Sequence, residues 1–352
     1  MTSEMTSLPL AVLCLHLAGG TVDEGATLAR AFGPPERWLE SSPDEWRRAG
    51  LSKDRARALA PLRDGRAAEA ERDACSRAGI RLAWHAEPDY PPALRHLAQP
   101  PLVLAVMGRW PPPERALAVV GSRAATPYGL TCTRRLAGAA ARGGRGIISG
   151  LARGIDRAAH EAALAEGGWP VAVLGNGLQR PYPPENARLQ LDIARHGTLL
   201  TEFRLRQPPD TWTFPRRNRL IAALAETVLV VEAGPVSGAL ITARLALDLG
   251  RNVLAVPGPI DSQVSHGTNR LIADGAPPIL GVEDLLFELD GVVVAQAQPD
   301  HPLLAALGAS ALVPDELAAR AGRPVAEVRA ELVALELQRR VRRLEGGRYA
   351  AS

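Results

Sequence analysis

The chain has 352 residues, with 41 Lys plus Arg against 38 Asp plus Glu, for a formal net charge of +3. That length predicts two or three domains at about 150 residues each, and 46% hydrophobic with 22% charged residues is the balance of a globular protein with a core. Lysine occurs once, at Lys53, and the other 40 basic residues are arginine, which excludes a Walker A loop and leaves only a polar-flanked lysine for Schiff-base chemistry.

Residues 8–18 are apolar, but no basic segment precedes them and the run is too short to span a bilayer. Cys14, Cys75 and Cys132 lie far apart, without a CxxC pair or a disulfide-framework spacing. The chain is therefore expected in the cytoplasm, with no membrane partner. Residues 1–78 predict a small helical domain broken at Gly19-Gly20, Gly33-Pro34-Pro35 and Pro43, with Ser42-Pro43-Asp44-Glu45 as a helix start. Two strands follow, at 80–84 and 102–107, around the bend Tyr90-Pro91-Pro92, on the edge of the next domain, which runs over 79–294.

From residue 116 to about 290 the texture alternates. Short β-branched runs at 117–120, 146–149, 171–174, 198–201, 227–231 and 253–256 are separated by helical patterns at 130–142, 158–166, 187–195, 220–224 and 239–249. Strands that are nearly all apolar and alternate with helices predict an α/β fold, a doubly wound parallel sheet covered on both faces. Residues 295–302 read as a linker. The segment 303–352 predicts three helices at 303–307, 315–320 and 325–337, then a hairpin from 341–344 and 348–350, which is the pattern of a winged helix.

Ligands of an open parallel sheet bind where strands end and helices begin. Here those ends carry Gly121-Ser122-Arg123, then Ser149-Gly150 running into Arg153-Gly154-Ile155-Asp156, then Gly175-Asn176-Gly177 followed by Tyr182-Pro183. The fourth end gives Thr201-Glu202-Phe203 and then Phe214-Pro215-Arg216-Arg217-Asn218-Arg219. The last two give Glu232-Ala233 with Ser237-Gly238, and Pro257-Gly258 with Gly267-Thr268-Asn269. Glycine lets backbone N–H groups approach an anion, a helix N-terminus adds its dipole, Ser supplies donors, and Arg supplies a charged fork. One such turn is most simply a tight turn. Six on one rim, with Arg123, Arg153, Arg217 and Arg219 among them, predict a phosphate-binding surface.

The turn after the first long strand is Gly-Ser-Arg, not G-x-G-x-x-G, and no acid follows to take a ribose, so no dinucleotide cofactor is predicted. Asp156 and His160, at i and i+4, read as a buried cap and its partner more readily than as an acid–base pair, because no nucleophile accompanies them. Glu202 and Glu232 read about equally as a carboxylate pair or, for Glu232, as a capping acid. His266 is placed in a solvated loop. With no HExxH, GxSxG or clustered Cys/His set, neither catalysis nor a metal is expected.

The order of the turns resembles one family. It runs from Val-Gly-Ser-Arg ending at Arg123, through Ser-Gly-Leu-Ala-Arg-Gly-Ile-Asp ending at Asp156, to Tyr-Pro-Pro-Glu-Asn from Tyr182 and Phe-Pro-Arg-Arg-Asn-Arg-Leu-Ile from Phe214. It continues with Ser-Gly-Ala-Leu-Ile-Thr-Ala from Ser237, Val-Pro-Gly-Pro-Ile from Val256, and Gly-Thr-Asn-Arg-Leu-Ile from Gly267. This series, over roughly residues 90–289, resembles the DNA processing protein A family, also called Smf. The resemblance implies an extended Rossmann-like domain that binds single-stranded DNA, a homodimer formed through that domain, and a role in natural transformation. There such proteins protect incoming strands and load the RecA recombinase.

Family resemblance places DNA at Gly121, Ser122 and Arg123. The rim argument extends the site to Gly150, Arg153, Gly154, Phe214, Arg217, Asn218 and Arg219, with Ser149, Gly175, Asn176, Gly177, Ser237 and Gly238 on the flanking turns. Many members carry a basic residue where this chain has Pro184, with Arg180 or Arg188 as possible substitutes. The N-terminal segment resembles the family's sterile-alpha-motif or helix-hairpin-helix domain, and the C-terminal segment its winged helix.

Single-strand binding without sequence preference needs stacking faces beside a basic groove. Tyr128, Tyr182, Phe203, Trp212 and Phe214 lie in or beside the rim motifs, with Phe214 the first candidate and Phe203 and Trp212 undecided between core and site. Arg339, Arg340, Arg342 and Arg343 make the winged helix basic. Two rival functions remain. One is a nucleoside monophosphate phosphoribohydrolase of the lonely-guy type, disfavoured because the turn at Ser237 lacks that family's glycine string. The other is a winged-helix transcription regulator.

Overall fold

Capping boxes start two of the N-terminal helices. Thr21 and Glu24 exchange side-chain and backbone bonds at the head of one helix, and Ser42 and Glu45 do so at another, as the Ser-Pro-Asp-Glu sequence predicts. The structure is a computed structural model that describes residues 8–291, 301–308, 310–338 and 340–351. Its N-terminal helices are α1 (Leu10–Leu17), α2 (Val22–Phe32), α3 (Pro43–Ala49), α4 (Lys53–Leu59) and α5 (Arg66–Arg77). They close around Leu13, Leu15, Leu28, Trp46 and Leu59, and this core runs on to Leu102 and Val103.

The chain then forms β1 (Arg81–Trp84), the single turn α6 (Pro92–Arg95), β2 (Val103–Gly108), β3 (Ala116–Val120), α7 (Pro127–Arg142), β4 (Gly146–Ser149), α8 (Ile155–Ala165) and β5 (Trp169–Val173). It continues through α9 (Ala187–His196), β6 (Thr198–Thr201), α10 (Thr213–Leu224), β7 (Thr227–Val230), α11 (Gly238–Asp248), β8 (Asn252–Ala255), α12 (His266–Ala273) and α13 (Val282–Asp290). All eight strands join one sheet in the order β1-β2-β6-β5-β4-β3-β7-β8. The six from β3 to β8 are parallel, and β1 and β2 add as an antiparallel ribbon beside β6. The predicted edge strands and the doubly wound parallel sheet are thus both present.

Alternation along β3 shows how the sheet is covered. Ala116, Ala118 and Val120 face α10 and α11 through Leu220, Ala223, Ala239 and Ala243. Leu117 and Val119 face α7 and α8 through Leu136, Ala140, Ile155 and Ala159. Alanines at these helix positions bring the helix backbones close to the sheet.

Strand order reverses between β3 and β7, the usual ligand crevice of such folds. At the opposite end of the strands, buried Arg145 donates to Glu226 and Asp290 and to the Leu289 carbonyl, tying α13 down. Helices α12 and α13 lie where no helix was predicted, and His266 is the exposed first residue of α12 and not part of a loop. That helix starts where the Gly267 N–H reaches the Ala233 carbonyl at 2.7 Å, a contact that a Cβ would obstruct.

A separate unit follows residue 291. It comprises α14 (Pro302–Leu307), α15 (Pro314–Ala321), α16 (Val325–Leu337) and the antiparallel hairpin of β9 (Val341–Arg343) and β10 (Tyr349–Ala351), around a core of Leu303, Leu317, Val328, Leu332 and Tyr349. Three helices and a two-stranded wing match the predicted winged helix. Within the predicted linker, only His301 and Pro302 fall on described residues, and Pro302 already belongs to α14. Arg339 lies outside the described residues.

Candidate functional site

At the strand ends, several predicted residues meet in one cleft. Arg123, Gly150, Arg153, Asn176, Phe214 and Arg217 line it, together with Ala152, Tyr182 and Pro183. The Arg123 side chain is exposed and lies over the Phe214 ring, its guanidinium carbon 5.1 Å from the centroid. Phe214 is half-buried, and the Tyr182 ring stands beside it at 5.5 Å, tilted by 38°. The sequence places Tyr182 among the aromatics beside the rim motifs, and the turn that follows β5 brings it into the cleft.

The four rim arginines do four different things. Arg123 makes no ion pair among the described residues, and the N–H groups of Ser122 and Arg123 have no acceptor there either. Arg153 is exposed and ion-paired with Glu185. Arg217 is buried, donating to the carbonyls of Gly150, at 2.8 Å, and Val173. Burial pulls its guanidinium down to about 10, against the neighbouring Asp156, which raises it, and Arg123, which lowers it further. Arg219 does not join the cleft. It pairs with Glu202, as Arg216 does, so the predicted phosphate role is corrected to a buried ion pair. Helical rotation explains the split, because residues 216 and 219 share a face while 217 sits about 100° away.

Most of the glycine-rich turns are not open phosphate cradles, which corrects the reading that all six contribute. Backbone donors at Gly150 and Ala152 are already taken by the Asp156 carboxylate, at 3.1 and 3.3 Å. Burial holds that carboxyl above its usual range, while Arg217 and these N–H groups lower it. Gly177 donates to the Gln207 carbonyl, and a Cβ there would meet the carbonyls of Arg204 and Leu205 at 2.2 Å. The Asn176 amide donates to the Arg180 and Gly177 carbonyls, and Ser149 donates to the Val119 carbonyl. Asn218 donates to the Gly238 carbonyl, and Ser237 caps α11. Gly175 is buried against the Phe214 ring, and Gly154 turns with φ 69° against the Ser122 carbonyl. Packing and turn closure account for these residues. Among the described residues, the turn at Gly121-Ser122-Arg123 keeps open donors beside a cation that has no ion pair.

Two acids expected as a possible pair are apart. Glu202 binds Arg216 and Arg219, whereas Glu232 caps α7 by accepting from the Thr126 N–H at 3.0 Å and from its hydroxyl. His160 is fully buried, and among the described residues neither ring nitrogen has a hydrogen-bond partner, so it is not the partner of the Asp156 cap. Burial drives its pKa down to about 3. Phe203 is buried against Trp212, which settles it as core, while Trp212 stays half exposed. Arg180 is exposed, and Arg188 pairs with Asp192. Among the described residues no group of three or more His, Cys, Asp or Glu is placed to hold a metal, and no helix is long and apolar enough to cross a membrane.

Similarity to known proteins falls on the same segments. The sequence profile described as DNA recombination-mediator protein A matches residues 81–290, and that of the DprA winged helix domain matches residues 294–347. Protein Smf of Escherichia coli K12 is 42% identical over 276 residues, which cover 73% of this chain and 74% of the relative. DNA processing protein DprA of Bacillus subtilis is 38% identical over 223 residues, 63% of this chain and 75% of the relative. Among solved structures, DNA processing protein A from Streptococcus pneumoniae superposes with a TM-score of 0.69 at 30% identity, covering 80% of this chain and 98% of that one. The Helicobacter pylori protein, described by its single-stranded DNA binding mode, gives 0.55 at 30% identity over 60% of this chain and 96% of its own.

Proposed function

The chain belongs to the DNA recombination-mediator protein A family, and from that premise we propose that it binds single-stranded DNA in the cleft of Arg123, Gly150, Arg153, Tyr182 and Phe214. In this reading it protects strands taken up during natural transformation and loads the RecA recombinase onto them, as a homodimer through the Rossmann-like domain, in the cytoplasm, without catalysing a reaction or using a cofactor. The carrying observation is the exposed Arg123 guanidinium over the Phe214 ring. A cation and a flat apolar face side by side suit a phosphate and its base at once, whatever the base. The open N–H groups of Ser122 and Arg123 add donors for the same phosphate.

A phosphoribohydrolase would need a free carboxylate near the sugar. Glu232 is spent on Thr126 and Glu202 on two arginines, which speaks against hydrolysis. A duplex-reading regulator would place α16 in the major groove. That helix carries Glu327, Glu331 and Glu336 against Arg329 alone, and Arg329 pairs with Asp315, an acidic balance that disfavours DNA.

A salt-series binding assay with single strands, duplex and mononucleotide tests the proposal. Tight, salt-sensitive single-strand binding that survives removal of everything after residue 291 is expected. Binding lost with the C-terminal unit, or release of base from nucleoside monophosphates, would overturn it. RecA loading is read separately, as faster RecA filament assembly on precoated strands.

A further inference from the structure

Trp212 stands just before α10, two residues ahead of Phe214, and is 50% exposed. Tryptophan is enriched at interfaces, where its ring offers an apolar face and its N–H a polar edge. The ring is also fixed. Its edge contacts Phe203 in a T-shaped pair at 5.6 Å and 79°, and its Nε1 donates to Asp210 at 3.1 Å.

The indole lines a groove of about 370 Å³, with Gly19 and Thr21 from the α1–α2 loop, Pro101, Gln207 and Arg216 among the other walls. Positive charge predominates there, because the single carboxylate of Glu202 serves both Arg216 and Arg219, and Arg204 also lines the groove. Asp210 is the opposing acid, and both its oxygens are engaged, by Trp212 and Thr211.

We propose that this groove is a second single-strand subsite, in which Trp212 stacks a further base of the strand whose phosphate and base are held at Arg123 and Phe214. The inference rests on the proposed single-strand reading of the first cleft. Helix geometry places residues 212 and 214 about 200° apart around the start of α10, so a strand crossing that helix end meets one ring on each side. A fixed ring, a guanidinium and a glutamine amide favour a nucleobase with its backbone over an apolar peptide.

The test uses the full-length chain and oligothymidylates of about 3 and about 15 residues, lengths below and near the upper end of single-domain site sizes. Trp212→Leu, which keeps an apolar contact for Phe203, is expected to weaken the longer oligomer about 5- to 100-fold and to leave the shorter one unchanged. Trp212→Phe restores most of that loss, and a photoreactive uracil in the longer strand crosslinks to residue 212 only in the tryptophan form. Equal binding of the longer oligomer by Trp212→Leu and the parent chain, with Arg123→Ala weakened, would overturn the subsite alone. Parent-level binding by Arg123→Ala and Trp212→Leu together would overturn both the subsite and the reading beneath it.

Discussion

The carboxylate of Glu232, at the end of β7, sits on the first turn of α7 and accepts the Thr126 N–H at 3.0 Å. In doubly wound folds a helix start at the strand-order reversal is where a nucleotide phosphate usually rests. Here the protein's own acid fills that position. Gly129 makes room for it, since a Cβ there would lie 2.3 Å from the carboxyl carbon. Glu232→Ala is expected to cost about 1–3 kcal/mol, the price of an uncapped helix end and orphaned donors, and Gly129→Ala a comparable amount. Urea unfolding midpoints measure both, and an unchanged midpoint in either would refute the capping role.

Arg123→Ala gives the sharpest binding test. The side chain is exposed and unpaired among the described residues, so its loss should leave the thermal midpoint where it was. Binding should weaken about equally for unrelated single-strand sequences, and the slope of log K against log salt should fall by about one phosphate contact. A loss confined to one sequence would mean base readout and not phosphate contact.

Arg217 should behave differently although it lines the same cleft. Its removal leaves the carbonyls of Gly150 and Val173 without their donor and the buried Asp156 without its nearby cation. Arg217→Ala is therefore expected to destabilise the fold by about 2–4 kcal/mol. Binding then falls as a consequence of misplacing Phe214 and Gly150. Denaturant unfolding with parent-like stability would show that the guanidinium is not structural.

These contrasts mark what was legible in the sequence. Strand positions came from short β-branched runs, and the rim from the order of glycines, because both depend on local composition. Which arginine faces the cleft depends on rotation around α10, and that signal was present in the i, i+3 spacing of Arg216 and Arg219 beside Glu202. Which turns keep open N–H groups was only partly legible, since Asp156 takes donors four and six residues away while Glu232 takes one contributed by a segment distant in sequence. Helices α12 and α13 were missed because they are short, eight and nine residues, and lie between turn-forming residues.

His160 supplies a pH test of the same region. It is buried without a hydrogen-bond partner among the described residues, and burial holds its pKa near 3 against 6.5 for an exposed imidazole. In that interval the unfolded chain binds a proton that the folded chain refuses, so the derivative of stability with pH is positive and stability falls as pH drops from about 6.5 towards 3. A single such group contributes up to about 1.4 kcal/mol per pH unit. His160→Leu removes the titration, so its stability should decline less steeply than the parent's from pH 6.5 downward, with the two pH slopes alike near pH 8. His16, lowered to about 4 by burial with Arg204 and Arg216 nearby, adds a parallel contribution that remains in this variant. Thermal midpoints collected across pH 4 to 8 in both chains measure the difference, and identical slopes would show that His160 is protonated equally in the folded and unfolded states.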